Sequence, residues 1–323
     1  MRRRTFIAAL GAAASWPVAV RAQLAGRTPR LGVLLYSTPK DDPQARALQQ
    51  GLRDHGHIDG QNISVDYRFA EGKAARLPDL ASDLVRMKPD ALFVIGGDVA
   101  PFLSKATQTI PIVFVMSADP VQLGLVSSLV RPGGNATGFT FLQDKLASKR
   151  LDLLKEIAPR ISRVAFLSNP DHPDNELRVA QRAAMTLGVH MEPIEMRGAD
   201  DLDGAFQVIT KASIDAIYVV ASRQTVASLP RIVEFATKQQ LPLAGGWGAW
   251  AQAGGLLSYG PNVGEVVRNA VTYVDKIFKG TKVGDLPVQQ PARFELLVNL
   301  RSARSLGLSI SESFLLQADK VIE

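Results

Sequence analysis

The sequence predicts an α/β protein made of two doubly wound lobes with parallel sheets. Short apolar, β-branched runs alternate with longer amphipathic segments along the chain, as expected for alternating strands and helices. The strand-like runs are hydrophobic throughout, which is typical of strands buried on both faces of a parallel sheet. The same order then begins again at Val164, so the pattern indicates two similar units rather than one long sheet.

In the first unit, helical spacing of Ala45, Leu48 and Leu52 predicts a helix over Pro43–His55, and a similar pattern predicts one over Leu77–Met87. The runs predicted as strands are Leu31–Tyr36, Ile63–Tyr67, Ala91–Ile95, Ile112–Met116 and the short Ala136–Thr140.

The second unit contains the predicted strands Val164–Ser168, Ala216–Val220 and Leu256–Tyr259. A charged amphipathic helix over Gln143–Ile157 lies between the units. We therefore expect two Rossmann-like lobes with a boundary near Phe141–Leu146.

The first 22 residues have the pattern of a secretory signal peptide, with a basic head, a short apolar run and small residues before a cleavage site after Ala22. Arg3-Arg4 resembles the twin-arginine export pattern, so we favour folded export to the periplasm over export by the general secretory route. A further alternative is an uncleaved anchor. Against it, the stretch from Phe6 to Val20 is interrupted by Pro17 and is shorter than the ~20 residues that span a bilayer.

Composition excludes several classes of function. Without the four signal-peptide arginines, the 37 basic residues fall to 33 against 31 acidic ones, and no basic run with interleaved aromatics indicates nucleic-acid binding. The absence of cysteine excludes disulfides, thiolate metal sites and thiol nucleophiles. No HExxH, GxSxG or nucleotide-binding motif occurs. We therefore expect neither an enzyme nor a bound metal or cofactor.

Several short segments together resemble a known family: Ala45–Leu52, Gly60–Ile63, Lys88–Ala91, Ile110–Phe114, Asp119–Val121, Pro132–Gly138, Phe278–Gly280 and Asn299-Leu300 with Leu306–Leu308. They are similar to the extracytoplasmic substrate-binding proteins of ABC transporters, and more narrowly to a subfamily whose characterised members bind aromatic amino acids.

The resemblance implies a type I periplasmic-binding architecture with a three-segment hinge. On that analogy residues 24–141 and 258–284 form the first lobe, and residues 142–257 and 285–323 form the second. It also implies a protein that binds a small molecule (an amino acid, an aromatic acid or another small organic acid) and delivers it to an ABC permease. We expect a monomer, since one chain contains both halves of the cleft. Two alternatives use the same fold: a sensor that docks on a membrane receptor or kinase, and a cytoplasmic repressor core, against which the signal peptide argues.

Ligands of open parallel sheets bind beyond the carboxyl ends of the strands. This rule selects Tyr36, Ser37, Gly97, Asp98, Ser117 and Asp119 in the first lobe, and Asn169, Asn175, Ser222, Arg223, Trp247 and Tyr259 in the second. Structural roles compete with ligand contact for some of them: core packing for Tyr36 and Trp247, and helix capping for Ser37, Ser117 and Asp119.

Arg223 follows a predicted strand at a position where the resembled proteins typically carry an Asp suited to a ligand ammonium. An arginine fork prefers carboxylate or phosphate. The sequence thus favours a ligand with an acidic group and a planar or apolar body, unless Arg223 is a solvated surface residue.

Overall fold

The computed structural model describes residues 27–39, 42–141, 143–173 and 175–323. The predicted signal peptide over residues 1–22 and its cleavage site lie outside the described residues. Within the described ranges, no helix combines the length and the apolar character needed to cross a bilayer.

The strands, numbered in chain order, are β1 Arg30–Leu35, β2 Ser64–Phe69, β3 Ala91–Ile95, β4 Ile112–Met116, β5 Ala136–Thr140, β6 Arg163–Ser168, β7 His190–Glu195, β8 Ala216–Val219, β9 Leu243–Gly245, β10 Leu257–Gly260, β11 Glu295–Asn299 and β12 Lys320–Ile322. The α-helices are α1 Pro43–Asp54, α2 Leu77–Arg86, α3 Ala100–Ala106, α4 Ala147–Ile157, α5 Glu176–Leu187, α6 Leu202–Lys211, α7 Arg223–Ala227, α8 Leu229–Lys238, α9 Gly248–Gln252, α10 Val263–Phe278, α11 Leu300–Ser305 and α12 Glu312–Leu315.

The first lobe is a parallel sheet of order β2-β1-β3-β4-β5 with helices on both faces. Successive strand residues point to opposite faces. Phe93 therefore packs in the core beneath α1 and α10, whereas its neighbour Val94 packs with α2 and α3. Burial on both faces explains why these strands are hydrophobic throughout.

The second lobe is a seven-stranded sheet of order β12-β11-β10-β9-β8-β6-β7. Its strands pair in parallel except at β10 and β11, which are antiparallel with Leu257 opposite Val298. The predicted α/β class with two parallel-dominated lobes is confirmed. The antiparallel pair departs from the purely parallel pattern because the chain leaves the second lobe after β10 and re-enters it from the first.

The chain crosses between the lobes three times among the described residues, and the structure moves two of the expected crossings by a few residues. β10 pairs with β9 and β11, so Ser258–Gly260 lie in the second sheet, and the second crossing follows Gly260. Gln289 exchanges backbone hydrogen bonds of 2.9 Å with Gly138 and Thr140 of β5. The third crossing therefore lies between Gln289 and β11, rather than at residue 285.

Candidate functional site

The site lies where the carboxyl ends of β1, β3 and β4 face the loops that follow β6, β8 and β9. Apolar contacts already join the two lobes here, because one continuous core cluster contains Ile95 of the first lobe and Trp247 of the second. Between them remains a cavity of about 10 Å³. The lobes are therefore closed on each other in this structure. The cavity is lined by Ile95, Gly96, Val115, Met116, Ser117, Phe141 and Val263 from the first lobe and Arg223 and Trp247 from the second.

Arg223 is the residue that connects the two faces of the cleft. It opens α7, and the Ser222 side chain caps that helix by accepting the Thr225 N–H. Its backbone N–H donates to Asp98 Oδ2 at 3.3 Å, and its Nη2 donates to Asp42 Oδ2 at 3.4 Å. Both acids belong to the first lobe, so Arg223 is buried between the lobes and is not a solvated surface residue.

Glycine at position 96 makes this approach possible. Gly96 has a φ of +116°, and a Cβ built there would lie 2.6 Å from Arg223 Cγ and 2.7 Å from Asp98 Oδ1. Such contacts are too short for a side chain, and the backbone conformation is one that L-residues rarely adopt. Gly96 thus brings the backbone of the first lobe close to the arginine of the second.

Two aromatic rings flank the cleft. The Arg223 guanidinium lies 5.9 Å from the centroid of the Trp247 ring, within the range of a cation–π contact. Tyr36 is buried and donates its hydroxyl to the Gly72 carbonyl at 2.6 Å. Burial raises the pKa of the Tyr36 hydroxyl and the Asp98 charge adds to this effect, while Gln224 and Arg223 oppose it. Tyr36 is therefore a neutral hydrogen-bond donor at physiological pH.

Two further polar contacts join the lobes. Ser117 Oγ lies 3.1 Å from His172 Nε2 in the buried part of the interface. At the exposed rim, Asn175 Nδ2 donates to Gln122 Oε1 at 3.1 Å. Ser117 and Asn175, both selected from the sequence, thus lie at the interface between the lobes.

Other predicted residues have local roles. The Asp119 carboxylate accepts the N–H groups of Val121 and Gln122, so it caps its own turn. Gly97 abuts Ala118, because a Cβ at Gly97 would lie 2.6 Å from the Ala118 Cβ. The half-buried Tyr259 ring lies 6.3 Å from that of Phe294. The structure therefore brings Asp98, Arg223 and Trp247 together. The contacts of Asp119, Gly97 and Tyr259 described above lie outside that cluster.

Several buried polar atoms of the cleft have no hydrogen-bond partner in the part of the chain that the structure describes. They include the acceptor Asp98 Oδ1 from the first lobe and, from the second, the donors Nε and Nη1 of Arg223 and Nδ2 of Asn169. A buried polar atom without a partner costs about 1–3 kcal/mol. Unsatisfied donors and acceptors on opposite faces of a cleft indicate a place where a polar ligand binds.

Sequence reasoning missed Asp42. Its side chain caps α1 by accepting the N–H groups of Gln44 and Ala45 at 2.7 and 3.1 Å. Ser37, expected as a cap, instead donates its hydroxyl to the Asp42 carboxylate. The signal was present, because an acidic residue followed by proline at the first helical position is a common helix start.

Sequence reasoning also missed a second buried arginine beneath the cleft. The Arg150 guanidinium binds Glu176 and the Tyr218 hydroxyl through Nη1, and Gln143 Oε1 through Nη2 at 2.5 Å. Its Nε donates to the Tyr259 carbonyl at 3.2 Å. Burial raises the pKa of the Tyr218 hydroxyl well above its ordinary value, and Glu176 adds to the increase while Arg150 opposes it. All these partners belong to the second lobe or to the crossing segment that leads into it.

No group of three or more acidic or histidine side chains within the described ranges is arranged to hold a metal ion.

Comparison with known proteins identifies the family. The chain is 26% identical over 277 residues to a tyrosine-binding protein of Clostridioides difficile (strain R20291), which covers 85% of this chain and 79% of that protein. A crystal structure of a conserved domain protein from Vibrio cholerae superposes with a TM-score of 0.85 at 27% identity, covering 91% of this chain and all of that one.

A Streptococcus structure described as an ABC domain in complex with L-Trp gives a TM-score of 0.83 at 24% identity, covering 92% of this chain and all of that one. These similarities confirm the type I periplasmic-binding fold. The family model for ABC transporter substrate binding proteins matches residues 34–322. The chain therefore belongs to the ABC transporter substrate-binding protein family.

Proposed function

We propose that this protein is an extracytoplasmic solute-binding protein that captures a zwitterionic, amino-acid-like molecule between its lobes and delivers it to an ABC permease. The observation that carries the proposal is the pair of unsatisfied charged groups on opposite faces of the cleft: Asp98 Oδ1 in the first lobe and Nε and Nη1 of Arg223 in the second. A ligand ammonium pairs with the first group, and a ligand carboxylate pairs with the second.

The charge of the cleft favours a zwitterion over a simple anion. Asp42 and Asp98 both contact Arg223, so two carboxylates stand against one guanidinium. An anion without a cationic group would add negative charge next to these two carboxylates, and a single guanidinium does not balance that charge in a site of low dielectric. This revises the sequence-based preference for an acidic ligand, because the ligand now needs a cationic group as well as an acidic one.

The relatives support the same class of ligand. One is a tyrosine-binding protein and another was crystallised with L-Trp. Trp247 and Tyr36 offer aromatic surfaces in this chain, and a planar side chain gains contact area against such rings. We therefore place aromatic amino acids first among the candidates.

Family membership supports delivery to a permease, and the signal-peptide pattern of residues 1–22 supports export to the periplasm, with cleavage after Ala22. In the native host, the N-terminus of the periplasmic protein should be Gln23. Deletion of the gene should abolish uptake of the ligand identified below.

A thermal-shift screen of the processed protein tests the ligand class. L-tyrosine, L-tryptophan and L-phenylalanine are compared with tryptamine, which lacks the carboxylate, and with indole-3-acetate, which lacks the ammonium. At about 100 times its dissociation constant a ligand adds about 2.7 kcal/mol of stability. We expect a shift from at least one zwitterion and none from the two truncated compounds. A shift with indole-3-acetate alone would contradict the zwitterion assignment.

Calorimetry with two matched variants then locates the ammonium. Asp98→Asn removes the charge that faces Arg223 and should weaken binding of the screen hit by about 2–5 kcal/mol. Asp119→Asn, in the same lobe, retains an oxygen that can cap its own turn and should leave the affinity unchanged. Equal affinities for the two variants would remove Asp98 from the site.

A further inference from the structure

Gln143 is a fully buried side chain in the first segment that crosses between the lobes. Its Oε1 accepts a hydrogen bond of 2.5 Å from Arg150 Nη2, and its Nε2 donates to the Gly246 carbonyl at 3.4 Å. Its backbone N–H donates to the Ser117 carbonyl at 3.2 Å. Gln143 therefore connects a strand end of the first lobe with the turn that carries Trp247 in the second.

The orientation of the Gln143 amide is set by Arg150. A guanidinium has only donors, so the amide must present its oxygen to Arg150, and its NH₂ group then faces the Gly246 carbonyl. Arg150 is itself held in place, because its other nitrogens donate to Glu176, to the Tyr218 hydroxyl and to a backbone carbonyl. A buried network with these partners favours one position of the Gln143 side chain.

The turn after β9 is held by packing as well as by this hydrogen bond. A Cβ built at Gly246 would lie 2.9 Å from Arg150 Nη2 and 3.0 Å from Gln143 Oε1. A Cβ built at Gly260 would overlap the Gly246 carbonyl oxygen. Contacts this short leave no room for a side chain at either glycine. The backbone of Gly246 is therefore in direct contact with the Arg150–Gln143 pair and with the end of β10.

Trp247 follows this turn directly and depends on it for its position. The ring is 4% exposed, lines the cavity of the candidate site and lies 5.9 Å from the Arg223 guanidinium. Its Nε1 has no hydrogen-bond partner in the part of the chain that the structure describes. Because no hydrogen bond of its own fixes the ring, its position is set by packing and by the backbone at Gly246.

We propose that Gln143 is a positioning residue for the ligand site. Through its hydrogen bond to Gly246 it fixes the turn after β9 against Arg150, and it thereby places the Trp247 ring against Arg223. Gln143 acts through Trp247 and does not itself contact the ligand. The inference rests on the proposed function, since it treats Trp247 as part of the ligand site, but the position of the ring is measured without any ligand.

Fluorine NMR of the processed protein, labelled with fluorinated tryptophan, reports on the position of the ring. Trp16 lies in the predicted signal peptide, so the processed chain contains two tryptophans, Trp247 and Trp250. The spectrum of Trp247→Phe assigns the two resonances. Trp250 then serves as an internal reference, because it is fully buried in the second lobe.

Two variants separate positioning from stability. Gln143→Met has a similar volume and removes both side-chain hydrogen bonds, so the Trp247 resonance should shift or broaden. Tyr218→Phe is the matched control, because it also removes one partner of Arg150 but leaves the contact with Gly246 intact. The Trp247 resonance should stay unchanged in Tyr218→Phe.

Gly246→Ala tests the same turn from its other side and does not depend on the folding of Gln143→Met. The added methyl group meets Gln143 and Arg150 without removing any hydrogen-bonding group, and the Trp247 resonance should again change. Calorimetry with the screen hit should show about tenfold weaker binding in Gln143→Met, as expected from loss of one positioning hydrogen bond. Tyr218→Phe should bind as the unsubstituted protein does.

An unchanged Trp247 resonance in both Gln143→Met and Gly246→Ala would overturn the inference. An equal change in Tyr218→Phe would also overturn it, since the ring would then respond to any weakening of the Arg150 network. A changed resonance with unchanged affinity would remove Gln143 from ligand binding. If no compound in the thermal-shift screen binds, the proposed function fails, whereas the NMR result still decides whether Gln143 positions Trp247.

Discussion

The second lobe contains two buried arginines that differ in how their side chains are satisfied. Arg150 lies beneath the cleft, and each of its three side-chain nitrogens donates to a partner in the second lobe or the adjoining crossing segment. Arg223 lies in the cleft and reaches the first lobe through Nη2, while its Nε and Nη1 have no partner among the described residues.

The difference separates a structural role from a binding role. A fully paired guanidinium stabilises one arrangement of the elements that surround it, and nothing is left for a ligand to add. A partly paired guanidinium in a cleft has N–H donors without acceptors, and a ligand carboxylate can accept hydrogen bonds from them. We therefore propose that Arg150 stabilises the second lobe and that Arg223 binds the ligand.

The largest expected effect is on stability, from Arg150→Met. The substitution leaves the Glu176 carboxylate in a buried site without its cation, and loss of one member of a buried pair costs about 3–5 kcal/mol. Urea unfolding should show this loss in the ligand-free protein. Arg231→Met removes an exposed arginine of the same lobe and should change the free energy of unfolding by less than about 0.5 kcal/mol. Equal losses in the two variants would refute the structural role of Arg150.

Arg223→Ala should instead act on ligand affinity. Loss of the partner of a buried carboxylate costs about 2–5 kcal/mol of binding free energy. Calorimetry with the screen hit measures this loss. Arg223→Lys keeps the charge and removes the planar fork, and should recover only part of the loss. Unchanged affinity in Arg223→Ala would show that Arg223 does not bind a carboxylate of the ligand.

The Tyr218 hydroxyl, which accepts from Arg150 and donates to Glu176 at 2.7 Å, provides a test of the Arg150 side of the comparison. Tyr218→Phe should cost about 1–3 kcal/mol, because charged partners lose a hydrogen bond. The raised pKa of Tyr218 means that the folded protein retains a proton that the unfolded chain loses near pH 10. Its contribution to stability is present below pH 10 and decreases above it.

Urea unfolding at pH 8 and at pH 11 measures this effect. The unsubstituted protein should lose more stability between the two pH values than the Tyr218→Phe variant does. The same alkaline loss in both proteins would show that Tyr218 makes no such contribution.

Trp247→Phe has the smallest expected effect. Phenylalanine keeps an aromatic face towards Arg223 but binds cations less well than tryptophan, which should weaken ligand binding by about 0.5–1 kcal/mol. The preference for zwitterions over truncated compounds should not change. A change in that preference, measured with the same thermal-shift panel, would mean that Trp247 contacts a charged group of the ligand.

The lobes could be predicted from sequence because their signals are local. Short apolar runs that are bounded by turn residues, such as Ala91–Ile95, predict buried strands. β9 is only three residues long, too short for a periodic signal, and the direction of β11 depends on where the chain re-enters the second lobe. Neither is encoded in a short window of sequence.

The site could be predicted only in part for a similar reason. The rule for parallel sheets selected Asp98, Arg223 and Trp247, which do converge. Asp42 carries the local signature of a helix cap, but its contact with Arg223 arises from closure of the lobes, which no local pattern describes. Arg150 lies within an amphipathic helix, where charged residues are ordinarily exposed, so its burial has no local signal either.

The position of the ligand can be seen in a crystal structure of the protein with the strongest ligand from the screen, with L-tryptophan as the first candidate. We expect one ligand molecule between the lobes, with its ammonium within hydrogen-bond distance of Asp98 and its carboxylate on Nε or Nη1 of Arg223. A ligand bound elsewhere, while Arg223 and Trp247 still fill the closed cleft at saturating concentration, would contradict it.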